Sequence, residues 1–354
     1  MDWRTMDERT KSRSLLWRKL PACERLGPQA GSLRHRSLYL RVSMSIPYKG
    51  IIPPLVTPLS DFDTLDVAGL ERMIEHVIDG GVHGIFVLGT TGEGPSLSQS
   101  TRQAVIRESC RIIDGRLPVF AGISDSSFAD SVRMAQLAAD CGADVVVSAG
   151  QFYMPPNDDE IAPYFSKLAD AVSLPLLVYN IPICTNVHFN EAAVRPMLEH
   201  ANIIGIKDSS GNMSHFNRLI RMIDKRPDFT VLMGPEDLTA QAVMMGAHGA
   251  VCGGSNLFPK LFVSIYEAAV CADLAEVQRL EREILNLADQ IYTMGQGVSG
   301  YMRGLKCALS CVGLCKDILS PPYEPLGADN RQTIADRLAS LNGIEAVAGS
   351  NTIS

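Results

Sequence analysis

Asn202-Ile203-Ile204-Gly205-Ile206-Lys207-Asp208 is a short apolar run that delivers one lysine at its end. A run of this length, rich in β-branched residues, reads as a buried strand. Lysine is almost never fully buried without a partner. Burial disfavours the ammonium and favours the free amine, which moves a lysine down from its ordinary value of ~10.4. A free amine in a pocket is a nucleophile and condenses with a ketone to form a Schiff base. The plainer alternative is a surface lysine just past a strand, paired with Asp208. The surrounding chain bears on that choice.

Strand-like runs recur on both sides, at 50–56, 84–88, 118–122, 144–148, 175–179, 203–207, 230–233 and 249–252. Helix-like stretches lie between and after them, at 67–79, 99–114, 128–139, 161–172, 191–199, 214–223, 237–245 and 259–271. Repeated β–α units of this size predict a parallel sheet. Val145-Val146-Val147 is the near-continuous apolar run of a strand covered on both faces. Gly81-Val82, Gly142-Ala143 and Gly246-Ala247 read as helix C-caps leading into strands. Eight units in ~220 residues favour a closed (β/α)8 TIM barrel, an α/β fold, over an open sheet. No G-x-G-x-x-G follows the first run, which disfavours a dinucleotide fold. The barrel is expected over 48–272. Further helices at 274–292, 299–311 and 331–341 predict an appended C-terminal helical bundle over 273–345, interrupted at Ser320-Pro321-Pro322.

Residues 1–47 differ: Arg4, Arg9, Arg13, Arg18, Arg25, Arg34, Arg36 and Arg41 stand among residues with no apolar period. They read as a disordered basic tail, without the apolar core of a secretory signal. The whole chain has 354 residues, 46% hydrophobic and 20% charged, which is ample for a packed core. Its net charge of −7 argues against nucleic-acid binding. No apolar run reaches the ~18 residues of a membrane span. The nine cysteines are scattered with no C-x-x-C pair, as expected of reduced thiols in the cytoplasm. Cys307, Cys311 and Cys315 recur every fourth residue, without a nearby histidine. They read as small packing residues on a helix face rather than as a metal set.

In such barrels the chemistry sits at the C-terminal ends of the strands. After the second run comes Gly89-Thr90-Thr91-Gly92-Glu93-Gly94, whose glycines and hydroxyls suit a small carboxylate. After the fourth come Phe152-Tyr153, and at the end of the fifth Tyr179-Asn180-Ile181-Pro182. Two threonines, two tyrosines and Lys207 thus share one rim. Each has a bland reading as a loop or core residue. His83 and His248 fall near strand starts, at the opposite end, and read as packing residues.

These segments, with Gly205-Ile206-Lys207-Asp208-Ser209-Ser210-Gly211, resemble in order and placement the dihydrodipicolinate synthase / N-acetylneuraminate lyase family of pyruvate-dependent class I aldolases. The resemblance covers residues from about 48 to 340. It implies that Lys207 forms an imine with a 2-keto acid and that Tyr179 moves protons there. It implies that Thr90 and Thr91, with Gly92 and Val251, bind the substrate, and that Thr90 relays protons. Tyr153 would be a second relay, reaching across a subunit contact. No metal or cofactor is implied beyond the imine. The implied partners are pyruvate and an aldehyde, in a homotetramer built from dimers. One departure stands out: where the lysine-pathway synthases carry Pro-Gly-Arg-Thr, this chain has Pro182-Ile183-Cys184-Thr185. A thiol cannot make the bidentate carboxylate contact of an arginine. A lyase of 2-keto-3-deoxy sugar acids is therefore expected ahead of dihydrodipicolinate synthase, with a dehydratase or a keto-acid-binding pseudoenzyme left open. Gly234-Pro235-Glu236-Asp237 falls where the sialic acid lyases carry an acidic pair that contacts substrate hydroxyls. The pair reads equally well as the opening acids of a helix.

Overall fold

The computed structural model describes residues 48–295 and 299–345, the last five as backbone. The tail expected over residues 1–47 lies outside the described residues. Eight strands form one parallel sheet: β1 (Gly50–Ile51), β2 (Ile85–Val87), β3 (Val119–Gly122), β4 (Val145–Ser148), β5 (Leu176–Asn180), β6 (Ile203–Asp208), β7 (Thr230–Met233) and β8 (Gly249–Ala250). Neighbours in the sheet run β1-β8-β7-β6-β5-β4-β3-β2. The sheet closes where Pro54 bridges Phe86. There the Leu55 N–H donates to the Phe86 carbonyl at 2.7 Å, and the Phe86 N–H to the Pro53 carbonyl at 2.9 Å. β1 is shorter than the apolar run at 50–56 because Pro53 and Pro54 have no N–H to give a ladder.

Helices α1 (Val67–Asp79), α2 (Gln99–Ile113), α3 (Phe128–Asp140), α4 (Asp158–Ala171), α5 (Glu191–Met197), α6 (Met213–Met222), α7 (Thr239–Met244) and α8 (Pro259–Val270) follow their strands in turn. Local chemistry starts them. The side chains of Asp66, Ser98, Ser127, Asn190 and Asn212 each accept an N–H from the first helical turn. Each such cap contributes about 1 kcal/mol. Gly81, Gly142 and Gly246 take φ of +83°, +85° and +108°, reversals that a side chain would resist. Three more helices follow: α9 (Leu274–Ile291), α10 (Gly300–Cys311) and α11 (Ala328–Glu345).

The alternation of the strands divides the apolar residues into two cores. Val146, Leu176, Val178 and Ile206 face the helices, and Ile284, Leu305, Cys307, Leu309 and Cys315 continue that layer into the appended helices. Ile52, Phe86, Phe120, Val145, Val147, Leu177, Tyr179, Leu232 and Val251 fill the lumen. His83 and His248 hold the far end, as their positions predicted. His83 Nδ1 accepts the Ile51 N–H at 3.1 Å, and His248 Nδ1 accepts the Val231 N–H at 2.9 Å.

Candidate active site

A break in register aims the lysine. Leu176 pairs with Ile203, but Leu177 pairs with Gly205, so Ile204 is one residue extra on β6. Strict alternation from Ile203, which faces the helices, would send Lys207 to the helices too. The extra residue reverses the parity. Gly205 and Lys207 then share the lumen face with Leu177 and Tyr179, while Ile206 and Asp208 face outward with Val178 and Asn180. Tyr179 and Lys207 are direct cross-strand partners.

Lys207 is 4% exposed and Tyr179 5%. The ammonium nitrogen lies 4.0 Å from the centre of the Tyr179 ring and 5.3 Å from that of Phe86. Among the described residues no carboxylate lies within ion-pair distance of Lys207, so the surface pairing with Asp208 is not what forms. Asp208 lies on the other face, where it accepts from Asn180 Nδ2 at 2.5 Å and from Ser210 Oγ at 2.8 Å. That bond ties β5 to β6 directly behind the Tyr179–Lys207 pair. Ser209 Oγ, next along, donates to the Tyr179 hydroxyl at 3.4 Å.

The turn after β2 supplies the threonines. Leu88 and Glu93 bracket it with φ of +60° and +56°, a left-handed backbone that costs a non-glycine residue of order 1–3 kcal/mol. Surrounding contacts hold it there. Thr57 Oγ1 donates to the Gly92 carbonyl at 2.6 Å, and the Glu93 N–H to the Thr90 carbonyl at 3.0 Å. Thr91 and Gly92 are buried and Thr90 half-buried. The Thr91 hydroxyl meets the Tyr301 hydroxyl at 3.3 Å. Val251 is buried in the lumen wall with Tyr179.

Two expected residues stand apart from this cluster or beside it. Tyr153, on the loop after β4, is 83% exposed, unlike the buried Lys207, Tyr179 and Thr91. Cys184 sits on the one-turn helix Pro182–Thr185 after β5. Burial raises its thiol pKa, while the Lys207 charge and a contact with the Thr90 hydroxyl oppose the rise. Glu236 opens a 3-10 turn, Glu236–Leu238, yet does not serve as its cap. Its Oε2 accepts the Gly254 N–H at 2.7 Å, and Oε1 is shielded with no well-formed hydrogen bond. Burial pushes this carboxyl above the usual carboxylate range. Asp237 is exposed.

The sequence reading missed the contribution of the appended helices. Tyr301 on α10 reaches Thr91, and burial followed by the nearby Glu236 carboxyl drives its hydroxyl pKa upward. Tyr292 stacks edge-on against Tyr301 at 4.8 Å. Lys306, also on α10, meets the Glu93 carboxylate. One signal was available: Lys306 is a lone charge inside Leu305–Leu309, a place where lysine needs a partner.

A sequence model of the Dihydrodipicolinate synthetase family matches residues 47–341. The dihydrodipicolinate synthase of Bacteroides thetaiotaomicron superposes with a TM-score of 0.82 at 48% identity, covering 84% of this chain and 100% of that one. YagE of Escherichia coli K12, a member of the same family solved with pyruvate, superposes with a TM-score of 0.78 at 28% identity, covering 83% and 99%. The probable 2-dehydro-3-deoxy-D-pentonate aldolase YjhH of Escherichia coli K12 is 32% identical over 269 residues, 75% of this chain and 88% of its own.

Proposed function

The chain belongs to the dihydrodipicolinate synthetase family, and from that premise we propose that it is a class I aldolase joining or separating pyruvate and an aldehyde through an imine on Lys207. The observation that carries this reading is the buried Lys207 amine, facing the Tyr179 ring at 4.0 Å with no carboxylate among the described residues to neutralise it. The chemistry follows from the residues. The Lys207 nitrogen adds to the keto carbon of pyruvate, and water leaves to give a protonated imine. That cation withdraws electrons from the adjacent methyl carbon, which gives up a proton and becomes a nucleophilic enamine. The enamine carbon forms the new bond to the aldehyde carbon, and the aldehyde oxygen takes a proton. Cleavage is the reverse. The Tyr179 hydroxyl, hydrogen-bonded to Ser209 on a ring that faces Lys207, moves these protons, with Thr90 as a relay. Thr91, Gly92 and the turn's N–H groups receive the pyruvate carboxylate, with Val251 packing behind.

For the aldehyde we favour a hydroxylated, sugar-acid type. Cys184 offers no charge to a second carboxylate, and Glu236 holds one oxygen free of good hydrogen bonds. Dihydrodipicolinate synthase activity is the second reading, favoured by the 48% identity to the Bacteroides thetaiotaomicron enzyme. Tyr153 and its neighbour Met154, 83% and 77% exposed, fit a surface that another copy covers, so we read Tyr153 as completing a partner's site in a homotetramer. The described cysteines are free thiols, in keeping with a reducing cytoplasm. Among the described residues no helix is long and apolar enough to cross a membrane.

Borohydride reduction with pyruvate, followed by peptide mass analysis, tests the imine: the adduct is expected on Lys207 and absent from Lys207→Ala. Its absence from the wild type refutes the reading. Pyruvate screened with aldehydes, by product mass, then separates the two substrate classes. Cys184→Arg is expected to raise condensation with aspartate semialdehyde. A wild-type protein that already prefers that aldehyde supports the second reading.

A further inference from the structure

Helix α10 and the segment after it grip the turn that carries Thr90 and Thr91. Glu93 is 2% exposed, and its Oε1 accepts from Lys306 Nζ at 2.5 Å. Its Oε2 accepts the Ser320 N–H at 2.8 Å. Lys306 is 1% exposed, and its Nζ also donates to the Ile318 carbonyl at 2.6 Å. Ser320 Oγ donates to the Ser96 carbonyl at 3.0 Å, just past the turn. Tyr301, on the same helix, touches Thr91. The loop after β8 makes room for it: a Cβ on Gly253 would stand 1.3 Å from the Tyr301 hydroxyl.

A buried ion pair stabilises a fold no better than apolar residues of the same shape. In some proteins such a pair instead fixes one geometry between two segments. Here one segment is a strained backbone turn whose end residue, Glu93, is itself left-handed. The other lies more than two hundred residues away on a packed helix. We propose that Lys306 and Glu93 are positioning residues for the carboxylate pocket: their ion pair pins the Thr90–Thr91 turn to α10 in the shape that receives pyruvate. The proposal rests on the imine reading given above. It makes the appended helices part of the substrate site rather than a cover for the barrel.

The test is reductive trapping as a function of ketone concentration. Replacing both partners, Glu93→Gln with Lys306→Met, orphans no buried charge, and folding is checked by circular dichroism and thermal melting. Pyruvate is compared with acetone, which forms the same imine but has no carboxylate. The expected result is a half-saturating pyruvate concentration raised roughly tenfold or more, the cost of a misplaced contact, with unchanged trapping of acetone. A folded variant whose pyruvate curve matches the wild type overturns the proposal, and so does an equal loss with both ketones. If the double variant does not fold, Tyr301→Phe removes the uncharged attachment alone and is held to the same two criteria. Wild type that traps acetone but shows no pyruvate preference refutes the carboxylate pocket. Wild type that traps neither refutes the imine, and the positioning role falls with it.

Discussion

Asn180→Ala strikes the tie behind the reactive pair without touching the lumen. Asn180 is 0% exposed and Asp208 1%. The Asn180 side chain makes two bonds: Nδ2 donates to Asp208 Oδ1 at 2.5 Å, and Oδ1 accepts the Phe189 N–H at 3.1 Å. The first is charge-assisted, a class contributing about 1.5–3 kcal/mol, and loss of the second strands a buried N–H at a further ~1–3 kcal/mol. Asp208 would keep Ser210, and its nearest cation-capable neighbour, His215 Nε2, is 4.0 Å away. The variant should therefore lose roughly 2.5–6 kcal/mol of unfolding free energy, summed from those two losses. Urea denaturation followed by tryptophan-independent far-UV dichroism measures it. Asn180→Asp keeps the Phe189 acceptor but sets two carboxylates face to face, and should recover stability on acidification as one of them protonates. A loss below about 0.5 kcal/mol for Asn180→Ala, the range of an ordinary surface change, would show that the tie does not hold β5 to β6.

Two other outcomes follow from the geometry. Tyr179→Phe keeps the ring against Lys207 but removes the hydroxyl; aldol turnover should fall about 10²- to 10⁴-fold, while borohydride still marks Lys207, and full turnover in the variant would remove Tyr179 from proton transfer. Burial lowers the His248 pKa. The unfolded chain then binds the extra proton below its own value of ~6.5, so this residue's contribution to stability is intact above that pH and falls as pH drops toward the folded value. His248→Asn keeps an acceptor for the Val231 N–H and removes the titration. Its urea midpoint should fall less than the wild type's between pH of about 7.5 and 5, and parallel pH curves would refute the assignment.

The eight β–α units were legible because a strand covered on both faces needs an unbroken apolar run, and 144–148 or 203–207 can hardly be anything else. Lys207 and Tyr179 were legible as residues at strand ends. Their facing was not. It depends on the extra residue at Ile204, and nothing in Ile203-Ile204-Gly205-Ile206 marks which isoleucine is surplus. The prolines at 53 and 54 shortened β1 in a way that composition foretold and the apolar run concealed. The partners of Tyr301 and Lys306 were illegible for a different reason, although Lys306 inside Leu305–Leu309 did signal the need for one. Their partners Thr91 and Glu93 are more than two hundred residues distant, and nothing on the helix names them. Glu236 was evenly poised between a helix-opening acid and a site residue. It does open the 3-10 turn with Asp237, and its carboxylate also accepts the Gly254 N–H across on the next loop.

The surplus residue in β6 makes competence in this scaffold a question of odd and even. Excising Ile204 would leave Leu177 opposite Gly205 and Tyr179 opposite Lys207, so the amine would stay in the lumen, whereas one residue added between Gly205 and Lys207 would keep every side chain of the rim in the chain yet send that amine out among the helices. Substitutions can weaken such a centre by degrees. A gained codon between Gly205 and Lys207 would abolish it in one step while sparing its chemical inventory.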